Sequence, residues 1–397
     1  MIIKPKIRGF ICTNAHPLGC ATNVQQQIEY TKKQGSIAHG PKNVLIIGAS
    51  TGYGLASRIT AAFGCGANTV GVFFEKPPTE KRTASAGYYN SAAFHSAAKE
   101  AGLYAESING DAFSDACKQG AIDLLKNGIG KVDLVVYSLA SPRRTDPKTG
   151  QLYTSVLKPI GSVYTERHLH TDSMKINELT LEPATDEEIN HTVKVMGGED
   201  WELWMQALHQ ADLLAPNCKT VAYTYLGEKI TWPIYGHATI GKAKEDLDRA
   251  AKSIGELLQP VNGQANVAVL KALVTQSSSA IPIMPMYISL LYKVMKEEGM
   301  HEGCIEQLQR LFTEGLYTDQ PRLDSHNRLR MDDLELREDI QRKVETLWPL
   351  VTEENICEIS DYQGYHQDFL HLFGFDFQNV DYDAEVDPEV ELHFREC

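Results

Sequence analysis

Tyr235 and Lys244, with eight residues between them, are the residues best suited to chemistry. A phenol beside an ammonium group is a usable proton donor, because the positive charge favours its phenolate. At about 100° per residue, Ile240, Ala243, Leu247, Ala251 and Ile254 form one apolar stripe of a helix that opens near Thr239. Lys244 lies at the edge of that stripe and points inward or toward a cleft, while Lys242 lies on the opposite, solvated side. An inward lysine needs a partner, and a cofactor ribose is a suitable one. A snorkelling lysine and a core tyrosine fit the same spacing. The pair therefore gains meaning only beside a cofactor site.

Gly48, Gly52 and Gly54 point to such a site. They follow a short apolar run, Asn43 to Gly48, and precede a helical pattern, Leu55 to Gly64. A tight turn without Cβ atoms lets a pyrophosphate approach the backbone, and the helix N-terminus faces it with free N–H groups. A second strand, Thr69 to Phe74, ends at Glu75, whose carboxylate suits the two adenosine ribose hydroxyls and repels a 2′-phosphate. NADH is thus expected over NADPH. Asp111, after a third strand (Tyr104 to Asn109), suits the adenine amino group. Leu139 and Ala140, after a fourth (Val132 to Ser138), suit a backbone wall for the cofactor.

These residues need a scaffold. Helical patterns such as Ala112 to Asn127 alternate with the strands, and two further strands are expected at Thr220 to Tyr225 and Asn266 to Thr275. The alternation predicts an α/β fold: a Rossmann-like, doubly wound parallel sheet over residues 40–280. Residues 143–215, polar and rich in proline at first, read as an inserted lid. Residues 281–397 carry apolar helical faces (Ile288, Leu291, Tyr292 and Met295; Leu336, Ile340, Val344 and Leu347) and read as a helical C-terminal extension. The whole is expected to form a single compact unit.

The chain has 397 residues, 43% hydrophobic and 23% charged, with a formal net charge of −14. The acid surplus argues against nucleic acid and against anionic membranes. No run of about 18 apolar residues offers a membrane span. Lys4, Lys6 and Arg8 lack the apolar stretch that would make a leader. The eight cysteines show no C-x-x-C spacing and read as reduced thiols of a cytoplasmic protein. The histidines form no ligand set, so no metal is expected. Arg143 and Arg144 suit a phosphate or an acidic carrier, or a solvated loop equally well.

Together these segments resemble the trans-2-enoyl-thioester reductases of the FabV type, enlarged relatives of the short-chain dehydrogenases. The resemblance runs through Met1–Pro5, Gly48–Arg58, Tyr137–Pro142, Val195–Trp201 and Gly241–Glu245. It implies Tyr235 as proton donor, Lys244 on the nicotinamide ribose and Tyr225 on the substrate. It implies that Gly48, Ala49, Ser50, Thr51, Gly52, Tyr53, Phe74, Glu75, Asp111, Ala112, Leu139, Ala140, Leu273, Val274 and Thr275 contact NAD. The implied reaction is NADH-dependent reduction of a trans-2-enoyl-ACP or trans-2-enoyl-CoA in fatty acid biosynthesis, with acyl carrier protein as partner. Nothing in the sequence demands more than a monomer. The family's C-terminal region has been labelled flavin-binding, but no residue pattern here demands flavin. A ketoreductase or alcohol dehydrogenase of the short-chain type and a non-catalytic NAD-binding sensor share the cofactor site. The first has a shorter Tyr–Lys spacing, and the second has no need of the pair.

Overall fold

Val44 to Ile47 has no polar face to offer water, so it is stable only where both faces are covered. The computed structural model, which describes residues 1–397, puts it there. Asn43–Ile47 (β1), Asn68–Phe73 (β2), Ala105–Asn109 (β3), Val132–Tyr137 (β4), Leu214–Thr224 (β5) and Gln264–Val269 (β6) pair in parallel in the order β6-β5-β4-β1-β2-β3. Two short strands extend the sheet, Leu329–Arg330 (β7) beside β6 and Arg395–Glu396 (β8) beside β3. Helices cover both faces, as the sequence pattern predicts. The chain leaves β1 for β2 on one side and returns as β4 on the other. A crevice therefore opens between the carboxyl ends of β1 and β4, the usual ligand site of such a sheet.

One face is packed by Asp115–Asn127, Glu199–Gln210 and Thr239–Leu258, with Trp201, Trp204, Met205 and Leu208 fully buried. Of the expected insertion 143–215, residues 199–214 thus belong to the sheet layer instead. Burial of both tryptophans accounts for this, since each indole also finds a partner: Trp201 Nε1 donates to Thr220 Oγ1 and Trp204 Nε1 to the Ala112 carbonyl. The remaining insertion is two antiparallel hairpins (Arg143–Thr145 with Leu152–Thr154, and Tyr164–His170 with Lys175–Leu181) and the helix Asp186–Met196. The opposite face is packed by Pro17–Gln34, Gly52–Ile59, Ala86–Glu100 and Cys304–Arg310.

The C-terminal helices Met284–Glu297, Glu338–Leu347 and Tyr362–His371 form a third core with the floor of the crevice, centred on Tyr287, Leu291, Tyr292, Tyr365 and Phe369. No helix is long and apolar enough to cross a membrane.

The expected strand Asn266 to Thr275 ends early, at Val269. Beyond it the backbone is hung from side chains of later segments. Lys271 N–H donates to Gln307 Oε1, Ala272 N–H to Glu335 Oε2, Val274 N–H to Tyr292 Oη and Thr275 N–H to Ser278 Oγ. Side chains replace a ladder here because the segment must turn away from the sheet to wall the crevice.

Candidate active site

The turn after β1 brings backbone close against backbone in the crevice. Gly48 has φ +89°, and a Cβ there would overlap the Ser138 carbonyl; a Cβ at Gly54 would overlap the Gly48 carbonyl. Gly52 instead has open space where its Cβ would be, apart from Thr275 at van der Waals distance. Two glycines thus close the turn and the third leaves room. Thr51 makes no side-chain cap bond to the helix Gly52–Ile59, so the first N–H groups of that helix remain for a ligand.

The crevice is a cleft of about 700 Å³. That volume is ample for a dinucleotide arm together with part of a second ligand. Gly48, Ser50, Thr51, Gly52, Tyr53, Phe74, Glu75, Asp111, Ala112, Leu139, Ala140, Tyr225, Tyr235, Lys244, Leu273 and Thr275 all line it. Two of the expected NAD contacts do not. Ala49 is buried behind the turn, its N–H donating to the Val72 carbonyl. Val274 is buried, its N–H spent on Tyr292. Both belong to the layer that shapes the wall.

Glu75 is tied down on every side. Its Oε1 accepts from Ser50 Oγ at 2.6 Å and its Oε2 from Ser85 Oγ at 2.5 Å. The Asn109 amide brackets its backbone, accepting from Glu75 N–H and donating to its carbonyl. Burial raises its pKa, and the two serines pull it back. Phe74 beside it is 78% exposed, a flat apolar surface at the cleft rim. Asp111 is partly a turn residue, since its Oδ1 accepts from Phe113 N–H at 3.0 Å.

Tyr235 ends the loop before the helix Thr239–Leu258, its N–H donating to the Thr231 carbonyl. Its ring meets Tyr225 edge-on, centroids 5.0 Å apart at 81°. Burial raises its pKa, and the Tyr225 backbone opposes that rise. Tyr235 is therefore a neutral phenol at pH 7. Lys244 sits in the second turn of the helix and faces the cleft as expected, while Lys242 is exposed and pairs with Glu245. Nothing in the protein pairs with Lys244, and burial alone lowers its pKa to about 8. Lys244 is half-buried in the cleft wall, and an ammonium there without a protein partner marks the position as a place for a ligand's oxygens.

The two arginines part company. Arg143 is exposed and lines the cleft. Arg144 is buried against Phe113, donating to Glu199 and to the Lys194 carbonyl, so it cannot meet a ligand. Sequence reasoning missed Glu335 and Tyr287, which lie behind Tyr225, and Lys271, which lines the cleft and faces Glu335. Glu335 Oε1 is in hydrogen-bond contact with Tyr225 Oη at 3.0 Å and with Tyr287 Oη at 2.8 Å. Glu335 lies in Met331-Asp332-Asp333-Leu334-Glu335, an acidic stretch of the kind that usually faces water. No periodicity there signals an inward carboxylate.

The chain matches family models described as the NAD(P)H-binding domain of trans-2-enoyl-CoA reductase over residues 2–80 and its catalytic region over 82–317. Residues 323–386 match a model described as an enoyl reductase FAD-binding domain. It is 70% identical to an enoyl-[acyl-carrier-protein] reductase [NADH] of Saccharophagus degradans and 67% identical to one of Teredinibacter turnerae, each over 99% of both chains. Among solved structures it is similar to the trans-2-enoyl-CoA reductase of Clostridium acetobutulicum in complex with NADH (TM-score 0.96, 45% identity). That match covers 99% of this chain and all of the other. The Treponema denticola enzyme in complex with NAD gives a TM-score of 0.95 at 49% identity with the same coverage.

Proposed function

The chain belongs to the trans-2-enoyl-CoA reductase family and is an NADH-dependent enoyl-thioester reductase, and from that premise we propose the roles of its residues. The observation that carries the reading is the meeting of Tyr235 and Lys244 with the glycine turn in one cleft. NADH bound there supplies hydride to the β-carbon of the trans-2-enoyl thioester. Negative charge then develops on the thioester oxygen. Tyr235 donates a hydrogen bond to that oxygen and gives it its proton; the resulting enol becomes the saturated thioester when a proton is placed on the α-carbon and the oxygen loses its own. Lys244 holds the ribose hydroxyls, and its charge favours the phenolate that Tyr235 becomes. Tyr225 supplies a second hydrogen bond. The Gly48–Tyr53 turn and the helix behind it take the pyrophosphate, and Glu75 takes the adenosine ribose.

Glu75→Ala is expected to relax the cofactor preference, because the charge that repels a 2′-phosphate is gone. A fall of about tenfold or more in the ratio of kcat/KM for NADH over NADPH corresponds to about 1.4 kcal/mol. Steady-state kinetics with both cofactors measures it, and an unchanged ratio would refute the role.

Acyl carrier protein is the proposed physiological carrier, since the more similar of the compared relatives are named for it. We also propose a cytoplasmic site of action, as fits fatty acid biosynthesis. The segment matched by the FAD-binding description contributes Leu372 to the cleft and buries Tyr362, Tyr365, Phe369 and Phe373 in the core. The proposed mechanism has no flavin step.

The test is NADH oxidation by the purified protein with crotonyl-CoA, then with a longer enoyl chain on CoA and on carrier protein. NADH consumption that requires the enoyl substrate supports the reading, and a higher kcat/KM on carrier protein supports the carrier. Tight NADH binding without turnover would return the ketoreductase and sensor readings.

A further inference from the structure

Glu335 is a fully buried carboxylate that forms no salt bridge, with Lys271 the cation facing it. Its Oε2 accepts from Ala272 N–H at 2.6 Å, and its Oε1 faces the two tyrosine hydroxyls already described. A tyrosine hydroxyl has one hydrogen. If Glu335 is ionised, Tyr225 must spend that hydrogen on it and has none for a thioester oxygen.

The direction of the neighbouring bonds removes the conflict. Gln341 Nε2 donates to Tyr287 Oη at 3.0 Å and to the Glu335 carbonyl at 2.8 Å. The Tyr287 oxygen is thus an acceptor toward Gln341, and its hydrogen goes to Glu335 Oε1. Because Oε2 faces a donor, a proton on Glu335 belongs on Oε1, where its neighbour is Tyr225 Oη. Thr231, which also flanks the Tyr225 hydroxyl, donates to the Glu228 carbonyl and accepts from Glu228 N–H.

We propose that Glu335 is a positioning residue that works protonated: it donates to Tyr225 Oη and so turns the Tyr225 hydrogen toward the thioester oxygen. The chain of donors then runs in one direction, from Gln341 through Tyr287 and Glu335 to Tyr225, each bond polarising the next. The proposal rests on the substrate role given to Tyr225 above. The charges facing Glu335 oppose one another. Lys271, buried over the Tyr292 ring, favours the carboxylate, while Asp332 and burial favour the acid. Lys271 is itself shared with Glu302 and Asp368, and burial brings its pKa down to about 8.

Glutamine at this position is neutral: its Oε1 can accept from Ala272 N–H while its Nε2 donates to Tyr225 Oη and Tyr287 Oη, and the Tyr287 hydrogen then turns to Gln341 Oε1, 3.5 Å away. The experiment uses the full chain with NADH and crotonyl-CoA, comparing Tyr225→Phe, Glu335→Gln and Glu335→Leu, and the last two again in the Tyr225→Phe background. Tyr225→Phe is expected to lower kcat about a hundredfold, the usual cost of one oxyanion donor. Glu335→Gln should keep kcat near wild type with KM unchanged. Glu335→Leu should lose as much as Tyr225→Phe, and should lose nothing further in that background. A Glu335→Gln variant as slow as Tyr225→Phe would overturn the inference, and so would a further loss on adding Glu335→Leu to Tyr225→Phe. If Glu335→Leu does not fold, the Glu335→Gln result decides. A Tyr225→Phe variant with wild-type kcat would instead remove the substrate role of Tyr225 itself, and this inference with it.

Discussion

Tyr235→Phe is expected to lower kcat by about 10²–10⁴-fold while NADH affinity stays nearly unchanged. The loss corresponds to about 3–5 kcal/mol of transition-state stabilisation. The hydroxyl is the only atom removed, and the ring keeps its edge-on contact with Tyr225. The loop that carries the ring is held by backbone bonds to Thr231, so the fold is not expected to change. Charge appears on the substrate oxygen only during the reaction, so the missing donor should act on kcat more than on ground-state binding. Stopped-flow NADH binding together with steady-state turnover separates the two effects. Normal turnover would remove Tyr235 from the mechanism and leave the proton to another group.

Lys244→Met is expected to lower kcat/KM by about a hundredfold, or about 2.7 kcal/mol, and to raise the KM for NADH. Both effects follow from one side chain that has no partner in the protein. With its pKa lowered to about 8, the ammonium form is present below that pH and is lost as pH rises through it. The kcat/KM profile, which reports the free enzyme, should therefore fall above about pH 8. Lys244→Arg, which stays charged, should move that descent to higher pH even if its shape slows the reaction. A wild-type profile flat to pH 9.5 would mean that the Lys244 charge is not required.

Much of this site was legible because the chemistry sits on strong local patterns. Val44 to Ile47, with Gly48 after it, can hardly be anything but a central strand feeding a turn, and Lys244 follows the helical period. Tyr235 required the resemblance, since a tyrosine in a loop carries no local signal. What stayed hidden lies in contacts between distant segments. β7 and β8 are two residues each, too short for any periodicity. The apolar run of Leu270, Ala272, Leu273 and Val274 looks like more strand, because burial alone determines its composition. Leu270 still packs with the sheet, but Ala272, Leu273 and Val274 are buried against the C-terminal core rather than between sheet neighbours. Arg144 turned inward because Glu199, fifty-five residues away, offered it a carboxylate.

The wall at 271–275 has a consequence for the order of assembly. Its N–H groups are held by Ser278, Tyr292, Gln307 and Glu335, all later in the chain. The sheet strands β1 to β6 are complete by Val269, but this wall of the cleft is not finished until residue 335 has docked. Contacts of such long sequence separation form late in folding. During refolding, the recovery of NADH binding should therefore lag behind the recovery of secondary structure. The cofactor serves as a reporter of the moment when the C-terminal helices close on the sheet.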